Sequence, residues 1–288
     1  MRSSTARGGA FACPRQAVCR SRRPVQPTNV ACVPKILHGL PDDVVALLSV
    51  GRGLFTVAAA RTAGVSEGRV RRLAESQLLT AVEPGCYAAT SAYRQLPPWG
   101  RHRIDARALS AVCRECYLTG ASAAAVWRLP TVGRPPIRTS ALWPKAPGRG
   151  SSTTRRTRFL VARLPVEHRS RVGAARVVCR AWAAVDLART APAAHGLVVA
   201  DAALRLGADL AGVVPHMTRW PGMSRARWVV DHADPCAESA LETLGRFACL
   251  EALLPMPVSN AWVGDDRPVY RVDGLWPWHW AAHEATVR

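Results

Sequence analysis

Apolar positions between residues 40 and 89 keep first a helical and then an alternating spacing, and that switch predicts an ordered set of elements. Residues 42–48 read as a short helix and residues 55–62 as a second, ended by Gly64. Ser66 offers an N-cap for a third helix reaching residue 76, because a hydroxyl there accepts from a first-turn amide that has no partner inside the helix. Residues 78–82 and 86–89 alternate as two strands around Glu83-Pro84-Gly85, a turn sequence that closes a hairpin. Helix, tight turn, helix and hairpin predict a winged helix-turn-helix. In the third helix Val70 and Leu73 share the core face, leaving Arg69, Arg71 and Arg72 on the other side, where they can meet base edges and phosphates in a major groove.

Farther along, residues 99–114 predict a helix with Arg101, Arg103 and Arg107 outward, and the small residues of 119–130 predict a closely packed helix. Strands at 137–142 and 159–163 flank a Pro/Gly/Ser/Thr/Arg-rich loop at 144–158. Residues 180–190, 199–207 and 225–233 read as helices; in the first two, Asp186 with Arg189 and Asp201 with Arg205 stand at i,i+3 and i,i+4 spacing, which predicts surface or capping pairs. A last helix at 238–246 runs into an apolar stretch ending at Leu254, then Pro255-Met256-Pro257, a strand, Arg271-Val272-Asp273 and His283-Glu284. The fold class expected is mixed α/β, of the α+β kind. A winged helix at 37–95, an α+β middle region at 96–233 and a segment at 234–288 follow a basic arm at 1–36 that has no sustained apolar period.

Charge changes the picture more than length does. Lys and Arg number 39 against 20 Asp and Glu, a net charge of +19 that favours polyanionic partners, DNA or RNA above all; with the winged helix, double-stranded DNA is the partner expected. The densest stretch, 145–180, holds ten basic residues, Lys145, Arg155, Arg156 and Arg158 among them, and one acid, Glu167; it predicts a phosphate-facing surface. Nine cysteines without paired spacing point to a reducing cytoplasm rather than a disulfide framework. Cys113 and Cys116 have zinc-ligand spacing but lack the second pair that a tetrahedral site needs. No apolar run approaches the ~20 residues that span a bilayer, so no membrane partner is expected. Hydrolase elbow, Walker loop, dinucleotide fingerprint and zinc-protease helix are all absent from the sequence.

Three carboxylates fall on three successive elements near the end: Glu242, Asp273 and Glu284. Acids so placed can gather a divalent metal such as Mg²⁺, with Asp273 and Glu284 as its ligands, to activate water and steady a phosphate. His279 and His283 lie close in sequence to Asp273 and would serve as water-activating bases. The position two residues beyond the last acid, where a Lys would stabilise the transition state, is Thr286.

The residues Glu238-Ser239-Ala240-Leu241-Glu242, Arg246, Leu254 to Pro257 and Arg271-Val272-Asp273-Gly274-Leu275-Trp276-Pro277 resemble the C-terminal domain of actinobacterial proteins that join an AbiEi-type antitoxin region to a very-short-patch-repair (Vsr-like) endonuclease domain. Gly85-Cys86-Tyr87, Ser122-Ala123-Ala124 through Pro130, Asp186-Leu187-Ala188 and Asp201 to Arg205 are similar to the antitoxin region of the same family. The resemblance implies a DNA-binding transcriptional regulator that represses its own promoter and needs no cofactor, carrying a truncated restriction-endonuclease-like segment. Its second implication is a metal-dependent DNA endonuclease using Glu242, Asp273 and Glu284 with Mg²⁺. A protein-interaction module with an open C-terminal sheet edge is a third reading. A toxin partner is not inferable from the sequence.

Overall fold

The computed structural model describes residues 39–144, 150–264 and 269–285. The arm at 1–36, Lys145 and Thr286 therefore lie outside the described residues.

The first elements are α1 (Asp42–Val50), β1 (Phe55–Thr56), α2 (Val57–Thr62), α3 (Glu67–Glu75), β2 (Leu79–Glu83) and β3 (Cys86–Ala89). Where helix was expected from residue 55, Phe55 and Thr56 instead pair antiparallel with Tyr87 and Cys86 and complete a sheet of order β1-β3-β2. The Phe55 ring stacks on Tyr87, and the Thr56 side chain caps α2 by accepting from Ala59 N at 3.1 Å, so the strand and the helix meet at one residue. Val44, Leu48, Ala60, Val65, Val70 and Leu79 close the core beneath.

Next come α4 (Thr90–Gln95) and α5 (Pro98–Val112), whose Ile104 and Ala108 pack on Leu54, Val82 and Ala88. Arg107, expected to face outward, donates to the carbonyls of Gly51 and Arg52 at 2.7 and 2.8 Å. α5 is thus a shared wall. It carries the helix-and-hairpin elements on one side and the larger core on the other, through Ala106 and Leu109.

That larger core sits on a mixed sheet. β4 (Tyr117–Leu118), β5 (Thr139–Pro144), β6 (Ser152–Thr153), β7 (Thr157–Ala162), β8 (Arg169–Val172) and β9 (Ala175–Val178) take the order β6-β7-β5-β4-β9-β8, with β5–β7 and β4–β9 parallel. Over it lie α6 (Gly120–Trp127), α7 (Arg180–Thr190), α8 (Ala193–Arg205) and α9 (Met223–His232). The helices meet largely through alanine: Ala183, Ala184, Ala188, Ala200 and Ala203 are all buried. A Cβ on Gly196 of α8 would stand 2.9 Å from Ala188 Cα of α7, so the glycine lets the two backbones meet. Helix α8 begins earlier than the expected residue 199, with Pro192 at its N-cap position. The Asp186–Arg189 pair on α7 forms at 2.6 Å, but it is buried rather than on the surface, because α7 is covered on all sides.

The last elements are α10 (Ala240–Glu251), β10 (Val258–Val263), β11 (Tyr270–Trp276) and β12 (Ala281–His283), the strands forming an antiparallel sheet in that order. α10 is tied to α8. Arg246 reaches Asp201 at 3.0 Å, and Asp201 also accepts from Thr243 Oγ1 and from the Asp234 amide, each at 2.8 Å. The expected Asp201–Arg205 surface pair does not form, because Asp201 is buried and faces α10 while Arg205 donates to Ala237 O. Trp276, Trp278 and Trp280 do not lie along one strand. Pro277 starts a 3-10 turn after Trp276, and Trp280 ends it with φ +50°, leaving Trp278 and Trp280 exposed. No helix among the described residues is long and apolar enough to cross a membrane.

Candidate nucleic-acid interface

Helix α3 owes its position to a turn and a cap. Gly64 takes φ +81°, a conformation favouring glycine, and reverses the chain after α2. Ser66 Oγ then accepts from Arg69 N at 3.3 Å and opens the helix. Val70 is fully buried and Leu73 half-buried, which fixes the rotation of α3 and leaves Arg71 and Arg72 exposed. Arg69 is half-buried and pairs with Asp43 of α1 at 2.5 Å, so it ties the first helix to the third as it borders the same face.

At the tip of the hairpin Glu83, an acid beside the turn, is buried. Burial raises its carboxyl above the usual range, while the guanidinium of Arg156 opposes that shift. Asp105 of α5 is also raised by burial; it accepts from Tyr93 Oη at 2.6 Å and feels the same Arg156. Arg156 donates to the Val82 carbonyl as well. One of the six candidate arginines is therefore a clasp on β2 and a counter-charge to two acids. Its neighbours Arg155 and Arg158 are exposed. The clasp ties the turn between β6 and β7 to the hairpin; Arg155 lies in that turn and Arg158 on β7.

The C-terminal carboxylates are placed differently. Glu242 is buried at the start of α10, and its Oε2 accepts from Glu238 N at 2.9 Å and Asn260 Nδ2 at 2.6 Å. Asp273 on β11 accepts from Ala285 N at 2.6 Å, and Glu284 is exposed just beyond β12. These three do not come together as a three-ligand group. His279 lies in the exposed turn after β11, whereas His283 turns inward over Gly274, with both ring nitrogens buried and unpaired. Cys113 and Cys116 adjoin each other without a third histidine or acidic ligand among the described residues; Cys113 is held down to about 6, first by the hydrogen bond from Cys116.

Sequence pattern did not single out Arg156 as a tie or Glu83 and Asp105 as its partners. Residues 83 and 156 are joined only by the fold, and no local periodicity links them.

No protein-family model matches the chain. It is similar to the uncharacterized proteins Rv2248 and MT2308 of Mycobacterium tuberculosis, strains H37Rv and CDC 1551 respectively, each 32% identical over 102 residues that make up 34% of this chain. The chain spans 38% of the length of these curated relatives. Among solved structures, the crystal structure of the RV2827C protein from Mycobacterium tuberculosis aligns with a TM-score of 0.41 and 16% identity, covering 76% of this chain and 84% of that one.

Proposed function

We propose that this chain is a DNA-binding transcriptional regulator of the AbiEi antitoxin type, acting in the cytoplasm on double-stranded DNA upstream of its own gene. The observation that carries the reading is α3: a capped helix behind a glycine turn, rotated by buried Val70 so that Arg71 and Arg72 face solvent. The order of α1, β1, α2, α3 and the β2–β3 hairpin supports a winged helix-turn-helix, in which the third helix enters the major groove. A net charge of +19 supports a polyanionic partner. Self-repression rests on the sequence resemblance to the antitoxin family. The endonuclease reading stands second, because Glu242 and Asp273 already accept hydrogen bonds within the fold.

Fluorescence anisotropy with the upstream duplex and a scrambled duplex tests the proposal. Arg71→Ala with Arg72→Ala is expected to weaken binding to the upstream duplex at least tenfold and to narrow the difference between the duplexes, because each base contact carries about 1–3 kcal/mol of discrimination. Equal binding by wild type and the double variant overturns it.

A further inference from the structure

Two short turns converge on the face of Trp182. The first, a 3-10 turn at Val166–His168, links β7 to β8 and carries Glu167 and His168. It is pinned to the start of α7: Cys179 N donates to the His168 carbonyl at 2.8 Å, and Cys179 Sγ lies 3.4 Å from His168 Nδ1. The second, at Val214–Met217, follows α8 and carries His216, anchored by the fully buried Met217 beside it. The two imidazoles meet edge to face with centroids 5.1 Å apart, and each also lies against the ring of Trp182.

We infer that Glu167, His168 and His216 form a binding site for a first-row divalent transition metal of the Zn²⁺ class. One ligating atom from each lies within 4.8 Å of the others, and this is the three-residue group of that kind among the described residues. Ligands about 2.0–2.2 Å from a tetrahedral zinc stand roughly 3.3 Å apart, so closing the site takes small rotations. Glu167 and His216 are exposed and can make them. His168 is held: its ring packs on Trp182, and Cys179 beside Nδ1 plays the orienting part that an outer partner plays for a metal-bound histidine. Two imidazoles and one carboxylate suit zinc and its neighbours rather than Mg²⁺ or Ca²⁺, which prefer oxygen ligands throughout. Water would complete the coordination. A bound ion would join the turn before β8 to the turn after α8, two segments about fifty residues apart in sequence.

Tag-free protein, stripped with chelator and titrated with Zn²⁺ by calorimetry and with Co²⁺ by visible absorption, tests the site. Wild type is expected to take up one ion per chain. His216→Ala should lower the Zn²⁺ affinity at least tenfold, and Glu167→Gln, at an exposed position that leaves the core untouched, should lower it as well. A Cys113→Ser, Cys116→Ser chain should bind as wild type does, without a sulfur-to-cobalt charge-transfer band in either. Circular dichroism of the stripped variants checks that each keeps the fold. Failure of wild type to bind, affinity unchanged in both ligand variants, or binding abolished by the cysteine substitutions overturns the inference.

Discussion

At the scale of single residues, two buried titrating groups pull stability in opposite directions. His102, against Ser122 Oγ at 3.1 Å, is pushed down to about 4 from its ordinary 6.5, first by burial. Asp201 is pushed up to about 6 from 3.8, because burial outweighs the nearby Arg246 and the hydrogen bonds it accepts. A histidine with a depressed folded value contributes stability that is present above 6.5 and lost as pH falls toward 4. A carboxylate with a raised folded value contributes stability that is present below 3.8 and lost as pH rises through 6. Each amounts to on the order of 3 kcal/mol. Urea unfolding between pH 7 and 4 should show wild type losing stability relative to His102→Gln and gaining it relative to Asp201→Asn as the solution is acidified. Parallel curves for all three proteins would refute both assignments. At this scale Arg71 and Arg72 were legible in the sequence, because a helix period alone separates them from Val70. The fate of Asp201 was not: its partner Arg246 lies 45 positions away, and local spacing pointed to Arg205 instead.

At the scale of elements, β12 depends on the absence of one side chain. A Cβ on Gly274 would lie 2.0 Å from His283 Cε1, so the ring occupies the space that the glycine leaves. Gly274→Ala is expected to break the β11–β12 pairing, lower stability by roughly 1–3 kcal/mol as overpacking does, and speed hydrogen exchange at the Ala285 amide that donates to Asp273. Adding His283→Ala should restore protection, since it removes both the collision and two unpaired buried nitrogens. A double variant no better than the single one would refute the packing argument. A helix with a serine cap was legible from sequence, and α3 starts where Ser66 places it; the last helix, expected from residue 238, starts at Ala240 because Ser239 caps it. The short strands were not. Leu118 of β4 pairs with Ala141 and Val177, neighbours that no two-residue pattern announces, and β1 was read as helix because its pairing with Tyr87 lies outside any local window.

At the scale of the whole molecule, the Arg156 clasp divides the basic loop into two kinds of arginine. Arg155→Ala with Arg158→Ala should reduce the salt slope of log K for DNA by about 0.9 for each phosphate no longer neutralised and leave stability near wild type. Arg156→Ala should instead destabilise the fold by roughly 1–3 kcal/mol, because the Val82 carbonyl loses a charged donor and Glu83 and Asp105 lose a nearby positive charge, with the slope changed little. Anisotropy across a salt series, beside urea unfolding, separates the two; an equal fall in slope at all three positions would contradict the division. The loop's charge was readable from composition. Its attachment to the hairpin was not.

The alanine seam between α7 and α8 has a consequence for the entropy of folding. Alanine and glycine have no rotamers to lose, whereas a buried leucine or isoleucine gives up about 0.5–1 kcal/mol of side-chain freedom. A helix pair joined through Ala188, Gly196 and Ala200 therefore gains little apolar area per residue and loses almost no side-chain disorder in doing so. What it orders is backbone. The larger ordered side chain in this layer is Trp182, fully buried, and it is the ring against which His168 and His216 come to rest.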